Sequence, residues 1–452
     1  MMLRVAACTF LALSVQIGHV YGFLQPVISN LPTLRPGSKL DVVAVPSDVK
    51  EDARNVATKT DRLEVALDGV WYDLTRWRSS HPAGEHWIDR MNGKDATDVM
   101  TAFHSEEAMK MFQGLPKAQG REDPVVDQTT LEFRKFRAQL VADGWFKRNW
   151  VQEAKVLGLW LTTCAVSVWL AKVCAPLGLI GLGIVSATGG WLSHDYVHGR
   201  GPWCTFMRNF GCLSIGLSPK WWSEKHNKHH AWTNVIGVDE DIMVDPALFL
   251  WQPDPSKDVP WRRFQHLYWA VPFSITLWLW RFDSIKRVVK DKLWGEGIAL
   301  AANYAFFLYL LGPAMFAGMV TLGGLLIATI VTVTHQAEEY LPNNDGIGLD
   351  GQESSDDPSF VDMQFRTTRD AICRDPVSEY IWGGMQYQLE HHLFPIMPRY
   401  KYSKLAPVVK EWAEKVGLDY RATDQWQIIS DNINYLKKVG EAPALKGAPT
   451  SS

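Results

Sequence analysis

The placement of histidine carries most of the chemistry in this chain. Three groups stand out: His194-Asp195-Tyr196-Val197-His198, His226-Asn227-Lys228-His229-His230 and Gln388-Leu389-Glu390-His391-His392. Residues three and four apart on an α-helix project from one face. His194 with His198, and His226 with His229 or His230, can therefore bind one ion together. Imidazole suits zinc, copper, iron or nickel, so ligand type alone does not name the metal. Six cysteines, none in a CxxC pair, make iron–sulfur clusters and structural zinc poor fits. Asp195, Asp239, Asp241 and Glu390 stand near enough in sequence to orient the imidazoles from behind.

These groups need elements that hold them together, and the apolar residues are spread unevenly enough to supply them. Residues 156–170 and 173–192 are two apolar segments, each near the ~20 residues that a bilayer crossing needs. Residues 298–333 form a longer apolar stretch divided at Gly312-Pro313, which suits two crossings joined by a tight turn. Residues 265–280 are aromatic, flanked by arginines and interrupted by Pro272, and read as interfacial or re-entrant. If the histidine groups share one metal site, they lie on one side of the membrane. Four crossings in two hairpins satisfy that; five do not. All three groups fall outside the apolar segments, and His335 sits at the end of the last one. The tryptophans Trp221, Trp222 and Trp232 suit the membrane interface.

The remainder is polar. Residues 61–123 have no long apolar run, and Asp68-Gly69 between two short apolar runs predicts a β-hairpin. Residues 123–150 read as a linker and 436–452 as a disordered tail. The first 22 residues have a charged start, a short apolar core and a small-residue end, the composition of a signal peptide. Residues 23–59 follow with no acid before Asp41, as in a transit segment. A net charge of −3 excludes a bulk nucleic-acid binder.

Two stretches resemble known families. His81-Pro82-Ala83-Gly84, Gly93-Lys94-Asp95-Ala96-Thr97 and Phe103-His104 are similar to cytochrome b5, whose two histidines clamp a haem from both faces. The resemblance implies haem b between His81 and His104 in a domain over residues 60–122. Ala83 departs from it, because that position is usually glycine. The three histidine groups resemble the boxes of membrane fatty-acid desaturases over residues 151–435. Gln388 at the head of the third box, with the cytochrome-like domain in front, resembles the front-end branch, as does the whole run from Gly383 to Pro395.

The fold expected is an α+β cytochrome b5-like domain, as the resemblance implies, followed by an all-α membrane domain with the four transmembrane helices of the two hairpins above. The resemblance implies two non-haem irons, O2 as co-substrate, an acyl lipid as substrate and a reductase feeding the haem. The ligand set implied is His194, His198, His226, His229, His230, His335, His391 and His392. Gln388 either binds metal or hydrogen-bonds a ligand. A sphingolipid long-chain-base desaturase or acyl-lipid hydroxylase needs the same boxes. A metal transporter would carry its ligands in mid-span, and a plain haem carrier would leave three boxes idle. Phe23 after the signal peptide resembles the two-part presequence of complex plastids. A plastid membrane is the expected location, with the endoplasmic reticulum the alternative.

Overall fold

The computed structural model describes residues 62–342 and 358–445. The expected signal and transit segments lie outside the described residues. Two compact units appear: residues up to Asp95 with Gly114–Pro124, and Ala96–Gln113 with the chain from Val125 onward.

The first unit holds the expected hairpin. Strands β1 (Glu64–Leu67) and β2 (Val70–Asp73) pair antiparallel, Leu67 opposite Val70. Asp68 and Gly69 both take positive φ, as a two-residue hairpin turn requires. Glu64, at the start of β1, is held by Arg121 at 2.6 Å. A short helix, α1 (Glu85–Arg90), follows His81. The left-handed demand of the histidine turn falls on Gly84 (φ 105°), so Ala83 replaces the usual glycine without backbone strain.

The second unit is almost wholly helical. It begins with α2 (Thr97–Phe103) and α3 (Glu106–Gln113). Next comes α4 (Gln128–Ala142), capped by Asp127. This corrects the reading of residues 123–150 as a linker. Phe133 is buried and stacks on Phe394, while Phe136 stacks on Trp412 at 5.0 Å. Arg134 of α4 also grips Asp98 of α2 at 2.7 Å.

Helices α5 (Trp150–Val173) and α6 (Ala175–Val197) form an antiparallel hairpin. Asn149 caps α5, and Pro176 opens α6, where a missing N–H costs nothing. Apolar side chains such as Leu159, Val166 and Ile180 point outward, as lipid contact requires. The last twelve residues of α6 are instead buried on every side, which carries His194 into the interior.

Then follow α7 (Pro202–Ser214) and α8 (Pro219–Ala231), the latter capped by Ser218. The aromatic segment forms α9 (Gln265–Tyr268) and the start of α10 (Ala270–Lys290), which runs ten residues beyond Trp280. Its inner face, Phe273 and Leu277, packs into the helical core. Helices α11 (Trp294–Leu311) and α12 (Pro313–Val333) turn at Gly312, as expected. By length and apolarity, α5, α6 and α12 could each cross a membrane. Three such helices, not four, meet that standard among the described residues.

The chain ends in a polar cap: α13 (Phe360–Thr367), β3 (Asp370–Ile372), α14 (Pro376–Trp382), α15 (Gln388–Leu393), α16 (Tyr402–Val416), β4 (Ala422–Asp424) and α17 (Gln425–Glu441). Strands β3 and β4 pair in parallel. Because Leu436 and Val439 are buried, α17 continues to Glu441 and the disordered tail does not begin at 436. Residues 446–452 of that tail lie outside the described residues.

Candidate metal centre

Four elements deliver the box histidines to one buried place. The end of α6 supplies His194 and, at its C-cap, His198. Helix α8 supplies His226, His229 and His230; α15 supplies Gln388, His391 and His392. His335 follows the end of α12. All nine are at most 5% exposed, although the chain is free to leave such polar groups at its surface.

They fall into two adjoining clusters. Ligand atoms of His194, His226, His230 and His391 lie within 4.8 Å of one another, and so do those of His229, His335 and His392. His198 joins the first cluster, its ring 4.3 Å from that of His230. The amide end of Gln388 joins the second, 3.1 Å from His335 Nε2 and 3.5 Å from His392 Nε2. The rings of His230 and His392 stack at 3.9 Å and link the two clusters.

The rings are oriented from behind. His229 Nδ1 meets Asp239 at 2.8 Å, His198 Nδ1 meets Asn227 at 2.7 Å, and His392 Nδ1 meets Gln364 at 2.8 Å. His335 Nδ1 faces the Thr367 carbonyl at 3.0 Å, and the Tyr402 hydroxyl faces His391 Nδ1 at 3.2 Å. Each contact pins one ring nitrogen and leaves Nε2 for the centre. His226 and His230 point their Nε2 atoms at each other across 3.1 Å.

The residues fit metal ions. His198 Nε2, His391 Nε2 and Gln388 Oε1 are buried without a partner among the described residues. Buried polar atoms in this number are costly unless something accepts them. Burial, aided by neighbouring histidines, holds His226, His230, His391 and His392 well below the ordinary imidazole value. Burial pushes His198 and His335 down to about 3. Such imidazoles stay neutral, the form that binds a metal. His229 differs: burial opposes its charge, but Asp239 and Asp241 outweigh that and raise it. The carboxylates that favour a proton there favour a metal cation equally.

The four acidic residues expected behind the ligands divide. Asp239 holds His229 directly. Asp241 stands 3.7 Å from the same nitrogen and pairs with Lys225 at 2.6 Å. Asp195 pairs with Arg399 at 3.0 Å, and Glu390 accepts from the Tyr420 hydroxyl at 3.0 Å, so neither touches an imidazole. Asn227, Gln364, Thr367 and Tyr402 do that work and were not foreseen. Asn227 alone had a signal, since it sits inside the second box.

Phe103, the last residue of α2, covers one side of the first cluster. It is buried, with its ring 5.7 Å from that of His198 and 6.4 Å from that of His230. The two histidines expected to hold haem fall in different units. His81 caps a short turn in the first, its Nδ1 3.2 Å from the Gly84 carbonyl. His104 caps α2 in the second.

With this geometry, comparison with known proteins is decisive. The model of the fatty acid desaturase family matches residues 167–424. The chain belongs to the fatty acid desaturase family. Residues 47–120 match the cytochrome b5-like haem/steroid-binding domain. An acyl-lipid 8-desaturase of Rebecca salina is 28% identical, over 87% of this chain and 95% of that protein. The Delta(6)-fatty-acid desaturase fat-3 of Caenorhabditis elegans is 29% identical, over 85% and 98%. The Delta(8)-fatty-acid desaturase of Euglena gracilis is 28% identical, over 77% and 88%. This desaturase is therefore an oxidoreductase, and its apolar helices are those of a membrane protein.

Proposed function

We propose that this desaturase introduces a double bond between an existing one and the carboxyl end of an acyl chain, drawing electrons through its own haem domain. The observation that supports this most is the pair of adjoining imidazole clusters, bridged by the His230–His392 stack. Removing hydrogens from unactivated methylenes is beyond any side-chain acid or base near neutral pH. Two non-haem irons, bound by the two clusters, would supply the one-electron chemistry with O2 that such a step requires.

The chain's own residues do the rest. His194, His198, His226, His230 and His391 would hold one ion. His229, His335, His392 and Gln388 would hold the other. Asp239, Asn227, Gln364 and Tyr402 keep the rings aimed, and Phe103 with the buried end of α6 keeps water out. His81 and His104, on the cytochrome b5 motif alone, are the proposed ligands of haem b. Two electrons come from the substrate and two through this domain, fed by a reductase, so that O2 leaves as water. A tethered donor works at high effective concentration. The acyl chain gains about 0.8 kcal/mol per methylene by remaining in lipid, which explains the membrane setting.

In this reading α11 makes a fourth crossing, so that the boxes share one side of the membrane. Helix α11 has 18 residues and is strongly apolar beyond Glu296. The presequence reading gives a plastid membrane as the destination. Fusing residues 1–60 to a fluorescent protein in an alga with complex plastids tests it, and endoplasmic-reticulum fluorescence would overturn it.

Expression in a host of defined lipids, followed by mass analysis resolved by lipid class, tests the reaction. Loss of two hydrogens on the carboxyl side of an existing double bond is expected. Gain of one oxygen would make the enzyme a hydroxylase instead. Products confined to long-chain bases would make it a sphingolipid desaturase.

A further inference from the structure

An aromatic path leads out of the metal centre. Trp222 stands four residues before His226 on the same face of α8. Its indole lies nearly flat on that imidazole, with 4.8 Å between ring centres and 8° between planes. The Trp280 ring of α10 follows, 5.1 Å from Trp222. Trp221 closes a triangle, 6.1 Å from each of the other two. Trp222 is buried, whereas Trp221 and Trp280 are partly exposed. The three indoles thus join a proposed ligand to the surface in two short steps.

Indole and phenol rings are the aromatic side chains that give up an electron most readily; the Phe103 ring does so far less easily. Trp191 meets His194 edge-on at 6.5 Å, and the Tyr402 ring lies 6.1 Å from that of His391. Among the described residues, neither has a further indole or phenol ring stacked on it. The Trp222 path therefore differs from both in having somewhere to lead.

The Trp222 indole has a second relevant feature. Its Nε1–H is buried with no acceptor among the described residues. On losing an electron it has nothing to give its proton to, so it carries a positive charge. Charge in a buried place is costly. An electron from Trp280 or Trp221 removes that cost and moves the charge to a ring that reaches the surface.

We propose that Trp222, Trp280 and Trp221 form a protective electron path, which carries electrons from a soluble thiol to the metal centre when O2 is consumed with no acyl chain in place. The path goes beyond desaturation but rests on the use of O2 proposed above. In desaturation, four electrons reduce O2 to two waters, two from the acyl chain and two through the haem domain. Without an acyl chain, two electrons are missing. The path supplies them one at a time, and the thiol restores each tryptophan that has given one. Two thiols become one disulfide and release two protons, which with two from solvent complete the two waters. The imidazole ligands are then spared as a source of electrons.

Mapping of oxidised residues tests the proposal. The full-length protein, iron-loaded in detergent, is reduced, freed of excess reductant and given repeated pulses of O2 with no acyl lipid. Peptide mass spectrometry then locates the oxidised side chains. Hydroxylated and ring-opened tryptophan should accumulate at Trp221 and Trp280 beyond the level at Trp150, Trp294 and Trp426, although those three are 63%, 59% and 70% exposed. Glutathione should suppress it. Trp222→Phe should lower oxidation at Trp221 and Trp280 to that of metal-free protein and add oxygen to His226 instead. The pair Trp221→Phe and Trp280→Phe, at the partly exposed end, should strand the oxidation on Trp222. Both variants should carry wild-type iron before the first pulse, which shows that they fold. Equal oxidation in metal-free protein, no excess over the three exposed tryptophans, or unchanged oxidation of Trp221 and Trp280 in iron-loaded Trp222→Phe would each overturn the path. If added acyl lipid is desaturated while the tryptophans respond in these ways, only the path is lost. If the tryptophans behave as stated but no desaturated product forms, only the reaction proposed above is lost.

Discussion

Neighbouring histidines in this protein belong to different clusters. Successive residues on a helix diverge by about 100°, so His229 and His230 point into different clusters, as do His391 and His392. Residues four apart converge, as His226 and His230 do. The boxes were legible in the sequence because their spacing is helical. The sorting of their members into two clusters was not, because it depends on how α8 faces α15. His391→Ala and His392→Ala should therefore each lower iron content by about half and leave the other ion bound, provided each cluster holds metal alone. Elemental analysis of the purified variants measures this. Equal and complete loss in both would mean the stacked His230–His392 pair couples the two ions. The residues behind the ligands give a sharper contrast. Asp239→Asn should weaken metal binding about 10–100-fold. Glu390→Gln should change it little, since burial and the neighbouring Asp370 carboxyl already raise Glu390 well above the ordinary carboxylate range. Competition with a chelator distinguishes the two variants.

Among the elements, α4 departs most from its reading in the sequence. Residues 128–142 contain no long apolar run, so the stretch resembled a spacer. Its few aromatic residues find partners far away in the chain: Phe133 meets Phe394, and Phe136 meets Trp412. Single-sequence patterns do not contain such contacts. Phe133→Ala should cost about 3–5 kcal/mol, seen as a lower melting temperature by scanning fluorimetry. Substitution of the outward-facing Leu131 should have a much smaller effect. The hairpin of β1 and β2 and the break at Gly312-Pro313 were legible, because glycine and proline constrain the backbone locally.

At the scale of the whole molecule, the proposed crossings would decide which side meets the reductants. In the proposed four-crossing reading, two hairpins would put the α5–α6 and α11–α12 turns on the face opposite the histidine boxes. Cys174 already stands in the first turn, and Ala314→Cys would mark the second. A membrane-impermeant maleimide should label both from one side, and a cysteine placed at Asp123 from the other. Labelling of positions 174 and 314 from opposite sides would end the four-crossing reading. The sequence displayed the apolar stretches but not their number of passages, because α11 carries Glu296 and Asn303 within a length that barely spans a bilayer.

The position of Phe103 bears on how such a chain can be rearranged in evolution. The residue before a proposed haem ligand also shields two imidazoles of the metal centre. The cytochrome-like segment is thus no detachable cartridge. A lineage that lost it would have to re-grow an aromatic plug over His198 and His230, and a foreign haem module spliced in its place would have to carry one.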